Sequence, residues 1–544
     1  RMPFLTYIQI ALYVLAAVGM TIASAHPVHM LQLESYKNRG FRRWVKNNSA
    51  HVFRFPVVVS AAGLLLALVA NLIFPARTAG RAIASAVLSL AYIAAMLVYA
   101  KRSRVKNAKK PLVMTSRAKR LFAAIALVYA TVCGVLWTLD AFVLEGTVLS
   151  GLPRFLLMLL AAGGVLAANM LVSPVEKAVQ RWYKNDARRI LAERDDLIRI
   201  GITGSYGKTS CKFILGTILS EKYNVLVPPA SYNTPMGLTR VIREQLKSLH
   251  EVFIAEMGAR HVGDIRELCE LVHPKYGLMT SVGPQHLETF GTIENIAKTK
   301  YELIESLPED GCAFFPADNE ICRELYERTD IEKYLFGVDY DGAVSARAEN
   351  IRCGSFGSRF DLVIGEERIA CETRLLGKHN IANIVGCACV AHRLGLTPAQ
   401  IRLGIRKLQP VEHRLQLLPT AGGVTVIDDA FNANPSGVRA AMEVLAAFEG
   451  RKIVVTPGLV ELGEREAEEN RAFGRVMAGV ADIVLLVGPR HTKPIYEGLV
   501  ESGFSEGAIH VFKSLSEATE ALWKLAKPGD VVIFENDLPD NYNE

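Results

Sequence analysis

The sequence predicts an α-helical membrane-spanning region followed by an α/β chain. Within that chain a central domain with a mainly parallel sheet precedes a smaller, Rossmann-like domain. Three observations carry this reading. Five stretches approaching or reaching the roughly 20 apolar residues needed to cross a bilayer crowd the first third of the 544 residues. Beyond them, apolar strand-like runs alternate with helical patterns, the signature of a parallel sheet covered on both faces. One of those runs feeds a glycine-rich turn that opens a helix, in Leu197–Ser210. The boundaries fall at 1–175 for the membrane region, 176–195 for a linker helix, 196–411 for the central domain and 412–544 for the last.

The apolar stretches are Phe4–Ala25, Pro56–Phe74, Ala82–Ala100, Leu121–Leu144 and Phe155–Val172. A single one would suit a signal peptide or a core helix, but five joined by short polar segments read as a multi-pass domain. Charge sets its orientation. The joint Ser35–Phe55 carries Lys37, Arg39, Arg42, Arg43, Lys46 and Arg54, and Lys101–Arg120 is richer still, whereas the alternate joints near Arg77 and Glu145 are nearly bare. The positive-inside rule then leaves the N-terminus outside and everything after Ser173 in the cytoplasm, at the cell membrane.

Mean hydropathy is +0.20 and the pI is 8.8. The basic balance does not indicate nucleic acid: residues 1–175 hold 19 Lys/Arg against 3 Asp/Glu, so the remaining chain is net acidic and the basic joints fit anionic lipid headgroups. Nine cysteines without a CxxC pattern fit free thiols in a reducing compartment. Pro174–Arg194, rich in charge and helix formers, reads equally as a linker helix at the membrane surface and as an ordinary solvated face.

In the glycine-rich turn, Gly204, Ser205, Tyr206, Gly207, Lys208, Thr209 and Ser210 form a phosphate loop. Its glycines let backbone N–H groups face an anion, and the following helix adds a positive N-terminus. Lys208 can reach the β- and γ-phosphates of ATP while the Thr209 hydroxyl meets Mg²⁺. Ile202 stands where the strict pattern has its first glycine. Further strands are read at Asn224–Val227, Val252–Ala255, Tyr276–Thr280 and Ala313–Phe315, with antiparallel alternation over Phe360–Thr373. The last domain shows strands at Val424–Ile427, Lys452–Val455, Ile483–Val487 and Val531–Phe534. Glu256 follows a strand, where a carboxylate suits Mg²⁺. His286 follows the next strand, and Lys300 lies on a helix. Taken singly, each of the three fits a structural role as well.

As an ordered set, G-I-T-G-S-Y-G-K-T, E-M-G, G-P-Q-H-L-E, K-T-K-Y-E-L, L-G-K-H-N-I-A-N, H-R-L and D-D-A-F-N-A-N-P resemble the Mur ligase family over about Ile198 to Asp537. The resemblance is greatest to its branch that adds D-alanyl-D-alanine to a UDP-N-acetylmuramoyl tripeptide. It implies an ATP-dependent ligase: a substrate carboxylate takes the γ-phosphoryl group, and an amine then displaces phosphate from the acyl phosphate. It further implies that Lys208, Glu256, His286 and Lys300 are catalytic, that Thr209 and Glu256 hold a first Mg²⁺, and that His286 and a carbamylated Lys300 serve a second. His379, Asn380 and Asn383 match the nucleotide-side motif, with Asn380 facing adenine. Arg414, Asp428, Asn432 and Asn434 match positions that meet ATP and substrate when the domains close. Tyr232-Asn233-Thr234-Pro235 resembles the substrate-side loop and reads equally as a plain turn.

Three departures stand out. Membrane spans occupy the place of the family's UDP-binding domain, Ser281 replaces a usual asparagine, and Glu535–Glu544 lacks the basic ending that often follows the last strand. These imply a membrane-anchored ligase of cell-envelope or peptide-polymer synthesis, with a carboxylate acceptor that is lipid-linked or membrane-delivered. Addition of D-alanyl-D-alanine to the soluble precursor and poly-γ-glutamate-type synthesis are the alternatives within the class, and a homo-oligomer or a membrane partner subunit is left open. An ATP-driven transporter fits less well, because the spans hold few charges. A silent scaffold would have no use for Lys208, Glu256, His286 and Lys300 together.

Overall fold

The computed structural model describes residues 3–76, 78–104, 111–229, 232–285, 287–354, 357–410, 413–418, 422–430, 434–460 and 462–536. It divides into two compact units, 1–181 and 182–544.

The first unit is helical. Its five long apolar helical segments are Thr6–Leu33, Ser49–Ile73, Ala79–Arg102, Ser116–Phe142 and Pro153–Ala192, each long and apolar enough to cross a membrane. They match the five stretches read from the sequence. The joint after the first is not an open loop: Asn38–Asn47 forms a strongly amphipathic helix with only Phe41 buried. The last segment contains the helix Ala161–Ala192, which passes through Pro174 without a break. Leu65, Leu66, Leu72, Leu127 and Met170 stay exposed. Inside lies a polar cluster: Arg154 pairs with Asp140 at 3.0 Å and donates to Ser89 Oγ at 2.8 Å. The hydroxyl of Tyr13 also donates to Asp140, at 3.4 Å.

The second unit holds two sheets. The larger has nine strands: β1 (Ile198–Thr203), β2 (Val225–Leu226), β3 (Val252–Glu256), β4 (Tyr276–Met279), β5 (Cys312–Pro316), β6 (Glu332–Gly337), β7 (Ala346–Gly354), β8 (Gly357–Ile364) and β9 (Glu367–Thr373). Their order is β2-β3-β1-β4-β5-β6-β7-β8-β9. Pairing is parallel up to β7, and β8 and β9 close the sheet antiparallel. Alternate residues of the central strands face opposite cores. Ile200, Ile202 and Ile254 pack under the helices Lys208–Leu219 and Lys378–Arg393, whereas Phe253, Ala255 and Met279 face the other layer, together with Ala187 and Leu191.

The smaller sheet comprises β10 (Gln416–Leu418), β11 (Thr425–Asp429), β12 (Lys452–Thr456), β13 (Ile483–Val487), β14 (Ile509–Phe512) and β15 (Val531–Glu535). Its order is β10-β11-β15-β12-β13-β14, parallel except for the short edge strand β10. The fold class read from the sequence therefore stands. β6, β7, β10 and β14 were not among the strands it showed.

Candidate functional site

Open parallel sheets place ligands beyond the carboxyl ends of their strands, and β1 sits centrally between β3 and β4. Its end is the glycine-rich turn. Gly204 has φ +151° and Gly207 φ +82°. A Cβ on Gly204 would strike Thr280 Oγ1, and one on Gly207 would lie 2.8 Å from Asn383 Oδ1. Both positions therefore need glycine for backbone conformation and for room.

The turn is held by the loop after β4. Ser205 N donates to Ser281 O at 2.7 Å, Tyr206 N to Ser281 Oγ at 3.2 Å and Gly283 N to Ser205 Oγ at 3.0 Å. Thr280 Oγ1 donates to the Tyr206 carbonyl. Ser281, the residue that departs from the family pattern, is thus a structural tie of the turn itself. Lys208 curls across the loop, its Nζ donating to the carbonyls of Gly204 at 2.6 Å and Ser205 at 3.1 Å. Burial lowers its ammonium to about 8; Glu256 opposes that shift and Arg414 adds to it. The arrangement suits a polyphosphate: a glycine turn, a helix N-terminus and a lysine converge.

Glu256 ends β3, opposite Ile202 of β1. Its Oε1 accepts from Thr209 Oγ1 at 3.0 Å and from Asn233 Nδ2 at 3.1 Å. A hydroxyl and a buried carboxylate side by side at the phosphate turn suit a hard divalent cation. Lys300, on the helix Ile293–Glu305, is buried within electrostatic reach of Lys208. Burial, then the neighbouring Lys208, hold its ammonium well below the usual lysine range, against the pull of Asp264 and Glu302. His286 and Asn432 lie outside the described residues.

Asn380 is buried and gives its Nδ2 to Leu376 O at 2.8 Å. With Ser210, Phe213, Leu375, Gln409 and Arg414 it lines a small, partly open pocket. Asn383 packs on Gly207, and Cys211 Sγ donates to its Oδ1 at 3.3 Å. Arg414 brings the start of the last domain into reach of Lys208 and Glu256. Asp428 instead bonds locally, to His413 Nδ1 at 2.6 Å and Ala430 N at 3.1 Å. Asn434 caps the helix Pro435–Ala446 through Gly437 N.

The sequence reading left out Lys212, whose Nζ lies 3.3 Å from Glu256 Oε2, and the pair Asp429 and Glu535 near Arg414. Lys212 had one visible sign, a lone cation four residues after Lys208 in an apolar helix.

Comparisons with known proteins agree with this geometry. Residues 202–391 match the Mur ligase middle domain, and 413–535 match the Mur ligase glutamate ligase domain. The UDP-N-acetylmuramoyl-tripeptide--D-alanyl-D-alanine ligase of Mycobacterium tuberculosis (strain ATCC 25618 / H37Rv) is 31% identical over 356 residues, covering 62% of this chain and 69% of that enzyme. The enzyme of the same name from Escherichia coli (strain K12) is 31% identical over 336 residues, 60% of this chain and 74% of its own. Among solved structures, MurF from Acinetobacter baumannii superposes with a TM-score of 0.61 at 25% identity, covering 67% of this chain and 78% of its own. MurF ligase from Thermotoga maritima in complex with ADP gives 0.59 at 26%, over 66% and 80%. The chain belongs to the Mur ligase family and is an ATP-dependent ligase that forms amide bonds.

Proposed function

We propose that this protein is a membrane-anchored ligase that uses ATP and Mg²⁺ to join an amine to the carboxylate of a cell-wall peptide precursor delivered at the membrane, the acceptor being lipid-linked. The observation that carries the reading is the joining in one chain of a Mur ligase core to five helices long and apolar enough to cross a bilayer. The basic joints support an orientation with the N-terminus outside and the ligase core in the cytoplasm, where ATP is found.

In this reading the turn from Gly204 to Ser210 cradles the phosphates with its N–H groups. Lys208, still largely cationic at neutral pH, releases the carbonyls of Gly204 and Ser205 to neutralise the charge of the phosphoryl group in flight. Thr209 and Glu256 hold a Mg²⁺ ion, which supplies Lewis-acid polarisation of the phosphate oxygens. His286 and Lys300 serve a second ion. Lys300 does so as a carbamate, formed when its uncharged amine adds CO₂ and loses a proton; its burial beside Lys208 favours the uncharged amine. Asn380, Ser210 and Arg414 line the pocket for the nucleotide base. Arg414 draws the last domain, with Asp428 and Asn432, over the reacting groups and excludes water from the acyl phosphate. The names of the M. tuberculosis and E. coli relatives favour a second reading, addition of D-alanyl-D-alanine to the soluble UDP-linked tripeptide.

The test is phosphate release by the detergent-purified full chain with ATP and Mg²⁺. Lipid-linked and UDP-linked muramoyl peptides are supplied in turn, with D-alanyl-D-alanine or single amino acids as amines. Expected are release that needs both substrates, a mass gain of the amine less water, and faster turnover of the lipid-linked form. Equal or faster turnover of the soluble form would sink the lipid-linked assignment and leave the second reading.

A further inference from the structure

The helix Lys208–Leu219 carries two lysines one turn apart, and the second takes no part in the reading above. Lys212 has a side chain 0% exposed, and its Nζ lies 3.3 Å from Oε2 of Glu256, which is 1% exposed. The Phe213 ring centre lies 4.5 Å from the same nitrogen. The other oxygen of Glu256 faces different company, Thr209 Oγ1 and Asn233 Nδ2. The two oxygens therefore differ: Oε1 accepts two hydrogen bonds from neutral donors, whereas Oε2 faces the Lys212 ammonium as an ion pair.

A buried ion pair is a poor device for stability, because desolvating both ions offsets most of their attraction and apolar residues of similar volume do as well or better. Its place beside the phosphate turn offers another account. We infer that Lys212 is a positioning residue: by occupying Oε2 it leaves Glu256 a single oxygen, Oε1, for the divalent cation beside Thr209. One-oxygen coordination suits Mg²⁺, which keeps a tight octahedron and its waters, whereas Ca²⁺ readily takes both oxygens of a carboxylate. Lys212 thus builds the preference for the smaller ion into the core. The inference rests on the cation-binding role proposed above for Glu256.

The experiment measures Mn²⁺ binding to the full chain in detergent with ADP by electron paramagnetic resonance, and Ca²⁺ binding by competition. Lys212→Met is expected to weaken Mn²⁺ about tenfold and leave Ca²⁺ unchanged or tighter, while Glu256→Gln weakens both. Adding Lys212→Met to Glu256→Gln should change neither further, because Lys212 acts only through that carboxylate. Unchanged Mn²⁺ affinity and Mn²⁺/Ca²⁺ ratio in Lys212→Met, or additive losses in the double variant, would overturn the inference and leave Glu256's role standing. Unchanged binding in Glu256→Gln would overturn that role first, and this inference with it. Should Lys212→Met not fold, Lys212→Gln keeps a donor without the charge; about a threefold loss of Mn²⁺ preference is then expected, and no loss refutes the inference.

Discussion

Parallel register sets Asp429, at the end of β11, opposite Glu535, at the end of β15. Glu535 is fully buried and neither of its oxygens receives a hydrogen bond from a donor, while Asp429 Oδ1 accepts from Leu415 N at 3.0 Å. Burial pushes both carboxyls up, Asp429 from 3.8 to about 6 and Glu535 well above its usual value; Arg414 opposes both shifts. The two behave as a pair sharing a proton. Because the folded state binds protons more tightly than the unfolded chain, the pair's contribution to stability is fully present below about pH 4. It is lost as pH rises through 6. Both shifts run in the same direction, so the pair's contribution is on the order of a few kcal/mol. Glu535→Gln leaves one carboxylate beside Arg414 and removes the like-charge neighbour. Thermal unfolding of the two full-length proteins in detergent, at pH 4.5 to 8, reads the difference. Glu535→Gln should be the more stable at pH 8, with its advantage shrinking as pH falls towards 5. A difference that does not vary with pH, or a variant less stable at pH 8, would refute the assignment of a shared proton.

Three more outcomes follow from the same kind of reasoning. Gly204→Ala forces a side chain into Thr280 and holds a positive φ, so it should cost roughly 1–3 kcal/mol locally and weaken nucleotide binding more than tenfold, read by titration with a fluorescent ATP analogue. In the helical unit, Asp140→Asn strips Arg154 of its buried partner and should lower stability by roughly 3–5 kcal/mol; pairing it with Arg154→Met should recover part of the loss in thermal scans. Lys208→Ala should cut phosphate release roughly 10²–10³-fold, the scale for losing one preorganised charge-stabilising group, with the unfolding temperature little changed. Loss of folding in that variant, or near-normal turnover, would remove Lys208 from the chemistry.

Most of the parallel strands that the sequence revealed are buried on both faces, and the pair within Phe360–Thr373 showed instead by its alternation. Val252–Glu256 and Ile483–Val487 are almost wholly apolar, and a continuous apolar run needs no partner to be recognised. Of the strands it hid, β10 and β14 are sheet edges, whereas β6 and β7 lie between strands that were read. β7 reads A-R-A-E-N-I-R-C-G and β6 begins Glu332-Lys333, so charge on the solvent face masks the period, and β14 is only four residues long. The amphipathic helix Asn38–Asn47 escaped for the converse reason: six basic residues around it read as a polar joint, although Phe41 anchors it in the core.

The same logic separates what was legible in the site from what was not. Lys208, Thr209 and Glu256 could be seen because each stands at a strand end or a helix start, where backbone geometry dictates which way a side chain points. Lys212 obeys no such rule. One turn along its helix, a lysine can face solvent or the sheet, and only packing against Phe213 and Glu256 decides which. Asp428 was marked by the resemblance alone, and the structure adds a partner that the sequence did not show, His413, just before the antiparallel edge strand β10. Ser281 lies between the two. It departs from the family's usual asparagine, yet a hydroxyl is long enough to accept from Tyr206 N, and its own carbonyl fastens Ser205. What the turn requires at that position is one acceptor at the right distance, which is a weaker demand than a particular residue. A chain can therefore lose a family's usual side chain there and keep the same turn.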